Sequence, residues 1–117
     1  MVSMIIAVNI VGDVVGTGLG RAAAIAVADV EDSQIVSWKE FDVRWDLSHD
    51  QPATSHGSHH ATIVSFMREH HVEVVVTGHV GPPMAHTLDL MGIGIVTGAT
   101  GDARQAALAA ARLAHGS

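Results

Sequence analysis

The 117-residue chain contains no cysteine and no tyrosine, and only two tryptophans, two phenylalanines and three prolines. Without cysteine it forms no disulfide, presents no thiolate nucleophile and offers no thiolate to a metal, so soft-metal chemistry must run through histidine or methionine. Basic residues are scarce as well. Six Lys+Arg face twelve Asp+Glu, a formal charge of −6, and aromatic residues make up 3%. That balance weighs against nucleic-acid binding, which needs basic surface and stacking rings. No uncharged apolar stretch reaches the roughly 18 residues of a membrane helix. The N-terminus shows neither the basic region nor the small-residue cleavage site of a signal peptide, so the expectation is a cytoplasmic protein. What is present in quantity is apolar material, at 48% against 15% charged residues. This is enough to offset chain entropy in one domain spanning 1–117. Nine histidines stand out, where roughly two to three would be usual at this length.

Breakers and periodicity divide the chain. Met4–Ile10 is a β-branched apolar run ending at the turn formers Gly12 and Asp13, a buried strand. The following residues 14–20 (VVGTGLG) read as a glycine-rich loop. Ala22–Val30 and Gln34–Trp45 read as two strands of a hairpin turning at Glu31–Ser33. In the second of these, Val36 and Trp38 lie on one phase and Phe41, Val43 and Trp45 on the other, which predicts a bulge near Lys39 or Glu40. Asp46–Ser58 is polar and aperiodic, the longest loop and the expected mobile segment. His59–His71 has helical spacing, with Ser58 as its cap. Val72–Thr77 is a strand covered on both faces. Pro82–Pro83 opens a helix ended by Gly92, Ile93–Thr97 is a last strand, and Asp102–His115 is an alanine-rich helix. Met67, Met84 and Met91 read as core fillers. The order βββαβαβα predicts a three-layer α/β/α fold on a mixed five-stranded sheet.

In such a fold the helix N-termini and the C-termini of parallel strands share one edge, where ligands of open α/β sheets bind. That edge would collect His56, His59, His60, His79 and His86 as candidate metal ligands, and Gly16, Gly18, Gly20, Arg21, Gly78, Gly81 and Gly98 as a candidate cofactor cradle. His70, His71 and His115 would lie at the opposite end, the first two against free carbonyls of a helix terminus. Neutral imidazole suits zinc, nickel or copper, and binding should strengthen with rising pH because protons compete for the same nitrogens. Histidines in a polar loop are equally a solvated segment, and this alternative stays open for His56, His59 and His60. The glycine run has Arg21 where a dinucleotide motif needs glycine, and it lacks the Lys-Ser/Thr ending of a Walker motif. Asp13, Asp29 and Asp32 share no face by spacing, which argues against a catalytic carboxylate set.

Gly18-Leu19-Gly20-Arg21-Ala22, the histidine-bearing segment before the first helix, the stretch 74–82 (VVVTGHVGP) and Leu90-Met91-Gly92-Ile93 together resemble the dinitrogenase iron–molybdenum cofactor biosynthesis domain, of the NifX and NifB C-terminal type. The resemblance spans nearly the whole chain. It implies a ribonuclease H-like fold and a non-enzymatic carrier of a divalent metal or an anionic metal cluster, working between donor and recipient proteins. Two other readings stand beside it: a metal-dependent hydrolase on a ribonuclease H-like fold, and a small-anion-binding interaction module.

Overall fold

A computed structural model describes residues 3–46 and 56–116, the side chains of 56–59 and 114–116 excepted. The central strand is β1 (Ser3–Val11), whose residues from Ile6 to Ile10 are all buried. It is covered because it pairs on both sides. β3 (Ala24–Glu31) runs antiparallel to it, with Ile6 opposite Ala28, and β5 (Val74–Val76) runs parallel, with Ile6 opposite Val74. β4 (Gln34–Phe41) extends the sheet beyond β3, and β6 (Gly94–Val96) extends it in parallel beyond β5, giving the order β4-β3-β1-β5-β6.

The sheet has six strands rather than the expected five. The additional strand, β2 (Val14–Val15), lies within the segment read as loop. Gly12, at φ +62°, reverses the chain so that Val14 and Val15 pair back onto Val11 and Ile10. The two valines fit a strand, but the glycines after them obscured so short a pairing. The element order is therefore ββββαβαβα.

Helices α1 (His56–Glu69) and α2 (Pro82–Leu90) cover one face of the sheet, and α3 (Ala103–Gly116) covers the other. Side chains alternate between the two layers, as the period of two requires. Ile6, Val8, Ile10, Val74 and Val76 meet Ala103, Ala107, Ala110 and Ala111 of α3. Ala7, Ile25 and Val75 meet Ile63 and Met67 of α1 and Met84 and Leu88 of α2. Met67 and Met84 are core residues, and Met91 packs at the margin, as read from the sequence.

The hairpin corrects two expectations. Its bulge lies at Val36, since Asp29 pairs with Ser37 and Val30 with Ile35; Lys39 and Glu40 are in register. No bulge is needed there because the sheet is covered on both sides. Trp38 serves the α3 layer, while Phe41 meets Phe66 and His70 on the α1 layer. β4 also stops at Phe41 rather than Trp45. Arg44, at φ +53°, turns the chain, Trp45 donates its backbone N–H to the Ala22 carbonyl at 2.8 Å, and the indole is 2% exposed. Of the expected loop Asp46–Ser58, residues 47–55 lie outside the described residues, and α1 already begins at His56, so Ser58 stands inside its first turn rather than capping it.

Candidate functional site

β1, β5 and β6 are parallel, so their C-terminal ends and the N-termini of α1, α2 and α3 share one edge. Backbone hydrogen bonds join the turns that arrive there. Gly16 donates to the Asn9 carbonyl (2.8 Å), Gly78 to the Gly16 carbonyl (3.0 Å), Gly98 to the Gly78 carbonyl (2.8 Å) and Leu19 to the His79 carbonyl (2.9 Å). Val15 donates to the Gly101 carbonyl (2.9 Å). The three glycine turns therefore form one continuous surface, Gly20 lying in the short 3-10 turn Leu19–Arg21 at its margin.

These glycines are there for different reasons. At Gly16 a Cβ would stand 2.6 Å from Asn9 Oδ1, and at Gly78 one would stand 2.8 Å from the Thr17 carbonyl oxygen, so the protein's own atoms forbid a side chain. Gly18 (φ −125°, ψ 125°) and Gly81 (φ −65°, ψ 149°) have backbone conformations open to any residue. A Cβ at Gly18 would meet nothing within 4 Å, and one at Gly81 only Pro83 Cδ at 3.9 Å. No internal contact requires glycine at these two positions. They flank His79, whose backbone bridges to Gly18 and whose side chain is exposed.

His86 is exposed on α2, and the His56 and His59 positions fall in the first turn of α1 at the same edge. His60 is drawn to α2. Its Nε2 lies 2.9 Å from Thr87 Oγ1, and because that hydroxyl donates its one proton to the Pro83 carbonyl (3.0 Å), His60 Nε2–H is the donor. Among the described residues, no three of His, Asp and Glu stand close enough together to hold a metal ion. The opposite end of the sheet receives the remaining histidines. His70 does not sit against free carbonyls as expected: its ring packs at 4.6 Å from Phe41 and 4.4 Å from Phe66. His71, at φ +55°, closes α1, with its N–H on the Arg68 carbonyl and that of Val72 on the Met67 carbonyl. His115 belongs to the last turn of α3.

The helix termini contribute unequally. α3 is already capped: Asp102 Oδ2 accepts from Gln105 N–H (2.9 Å) and the Asp13 carbonyl from Ala103 N–H (2.9 Å). α2 has no side-chain cap at Gly81, but Pro82 and Pro83 supply no N–H, so it presents the helix dipole with few donors. Arg21 lines a cleft of about 280 Å3 with Asn9, Gly16, Thr17, Gly18 and Asp46. Asp13 lies at this edge, whereas Asp29 takes a bond from Ser3 Oγ (3.0 Å) and Asp32 stands in the hairpin turn at the other end, so the three do not converge. Sequence reasoning missed Asn9 and Thr77, 1% and 0% exposed, which are bonded to each other at 3.0 Å. Their signal in the sequence is a lone polar residue, Asn9 within the first β-branched run and Thr77 at the end of the second.

A family model described as dinitrogenase iron-molybdenum cofactor matches residues 2–113. The chain belongs to that family. Membership ties it to an accessory role around such a cofactor and bears out the resemblance read from the glycine and histidine motifs. Among solved structures, the apo form of the orange protein (ORP) from Desulfovibrio gigas is 26% identical over 97% of this chain and 88% of that one, with a TM-score of 0.71. The protein PH0822 is 19% identical over 92% and 88%, TM-score 0.70, and MJ0327 from Methanocaldococcus jannaschii is 16% identical over 99% and 92%, TM-score 0.66. The last two share the fold. No curated protein matches the sequence. No helix among the described residues is long and apolar enough to cross a membrane.

Proposed function

We propose that this protein is a non-enzymatic accessory protein that takes up a divalent metal or an anionic metal cluster at the glycine-turn edge, from a donor protein, and passes it to a recipient. A single ribonuclease H-like domain in the cytoplasm is part of the same reading. The observation that carries it is the bare backbone on both sides of His79. Gly18 and Gly81 lack side chains where neither backbone conformation nor packing asks for it, leaving room for a cargo to approach an exposed imidazole. Family membership supports a metal-containing cargo, and the orange protein relative was solved in a form called apo. The uncapped start of α2 adds a favourable dipole for an anionic cluster, and His86, His56 and His59 would supply further nitrogens as the cargo settles. His60 would join them by leaving Thr87.

The test is calorimetric titration of the native protein with Zn(II) at pH 7.5, beside His79→Ala and a His56, His59, His60 triple alanine variant. Binding by the native protein, weakened at least tenfold in His79→Ala, supports the reading. Unchanged affinity in both variants, or no uptake by the native protein, overturns it.

A further inference from the structure

Asn9 and Thr77 are buried polar residues on the strand phase of Ala7 and Val75, whose core layer is otherwise apolar. Thr77 ends a run of three valines, and a fourth valine would have the same shape there without a hydroxyl to satisfy. The hydroxyl has a specific use. Thr77 Oγ1 accepts from Asn9 Nδ2 at 3.0 Å and donates to the His79 carbonyl at 3.3 Å. That same carbonyl accepts from Leu19 N–H at 2.9 Å, which fixes the end of the Gly16–Gly18 loop. Asn9 holds the beginning of that loop as well, since its carbonyl accepts from Gly16 N–H at 2.8 Å and its Oδ1 fills the space beside the Gly16 Cα.

We infer that Asn9 and Thr77 are positioning residues that set the relative placement of the Gly16–Gly18 loop and the His79 turn, and so the affinity of the edge they form. The link to affinity rests on the proposed function; the positioning itself does not. One buried asparagine touches both walls of the candidate site, through its backbone on one side and through Thr77 on the other. Buried polar pairs of this kind, fully bonded, specify a single arrangement where apolar packing alone would tolerate several. At 3.3 Å the bond to the His79 carbonyl is longer than the 3.0 Å bond from Asn9, and exchanging the Thr77 hydroxyl for a methyl removes both.

Thr77→Val, an isosteric change, and Thr77→Ser, which restores the hydroxyl, test this through two measurements. The first is amide hydrogen exchange read residue by residue in the protein without added metal. In Thr77→Val the amides of Leu19 and Gly78 should exchange about 3- to 10-fold faster, while those of Ala7 and Ala28 in the central strands keep their native rates. Thr77→Ser should return Leu19 and Gly78 to within about twofold of native. The second is Zn(II) titration, in which Thr77→Val should lose affinity and Thr77→Ser should recover it. Unchanged exchange at Leu19 and Gly78, an equal acceleration throughout the sheet, or no recovery with serine overturns the positioning role. If exchange behaves as stated but the native protein takes up no zinc, positioning holds and the metal-binding reading falls. Zinc affinity equal in all three proteins overturns the link to affinity.

Discussion

Replacing Gly78 with alanine puts the closeness of the two loops to a quantitative test. An ideal Cβ there would stand 2.8 Å from the Thr17 carbonyl oxygen and 3.0 Å from Thr17 Cα. Both are backbone atoms, so no rotamer change relieves the clash, and the Gly16–Gly18 loop must move away. That movement stretches the Gly78-to-Gly16 hydrogen bond and the bond from Leu19 to His79. Overpacking costs about 1–3 kcal/mol, and each of the two weakened bonds about 1 kcal/mol more, so Gly78→Ala should destabilise by roughly 3–5 kcal/mol. At this chain length the midpoint of thermal unfolding should fall by roughly 12–20 °C. Gly16→Ala differs instructively, because the atom in the way, Asn9 Oδ1 at 2.6 Å, ends a side chain. Truncation in an Asn9→Ala, Gly16→Ala double variant makes room, and the pair should cost about 1 kcal/mol less than the sum of the singles. Gly18→Ala is the control. Its conformation is ordinary and its surroundings open, so it should be neutral or stabilise by about 0.4–1 kcal/mol through the unfolded chain. Urea unfolding followed by circular dichroism, with equal m-values across the series, measures all five variants, the Asn9→Ala single included. A Gly78→Ala cost under about 1 kcal/mol, or a Gly18→Ala cost above it, refutes the reasoning.

Other changes follow from single features. Trp45→Ala empties a nearly sealed site against Phe66 (ring centroids 5.5 Å apart) and should cost about 3–5 kcal/mol in urea unfolding. Asp102→Ala removes the α3 cap and should cost about 1 kcal/mol, with faster exchange at the Gln105 amide and little change elsewhere. His71→Gly relieves a left-handed non-glycine residue and should stabilise by about 0.5–1 kcal/mol, raising the thermal midpoint by a few degrees. His79→Ala should leave stability within about 0.5 kcal/mol of native, because its ring is exposed; a larger loss would mean the ring is structural.

Much of this protein was decided locally and could be read in order along the chain. The β-branched runs around Ile6 and Val75, the proline pair that opens α2, and the alanines at positions 103, 107, 110 and 111 state strand and helix through period and breaker alone, since side-chain direction repeats every two or 3.6 residues whatever the partner. The histidines sort to two ends for the same reason: a crossover helix must run back along its strands, so connectivity alone sends His79 and His86 to one end and His70 and His71 to the other. Properties that depend on two distant segments meeting were not legible. β2 exists because Gly12 folds two valines onto β1, and the bulge at Val36 lets Ile35 and Trp38, three residues apart, both face the α3 layer. Gly16 and Gly18 look alike in sequence; only the approach of Asn9 makes the first obligatory, and only open space leaves the second without an internal reason. The bond from Asn9 to Thr77 spans 68 residues. A chain read one neighbourhood at a time shows two stray polar residues there, and the parallel pairing of β1 with β5 turns them into one buried pair beneath the site.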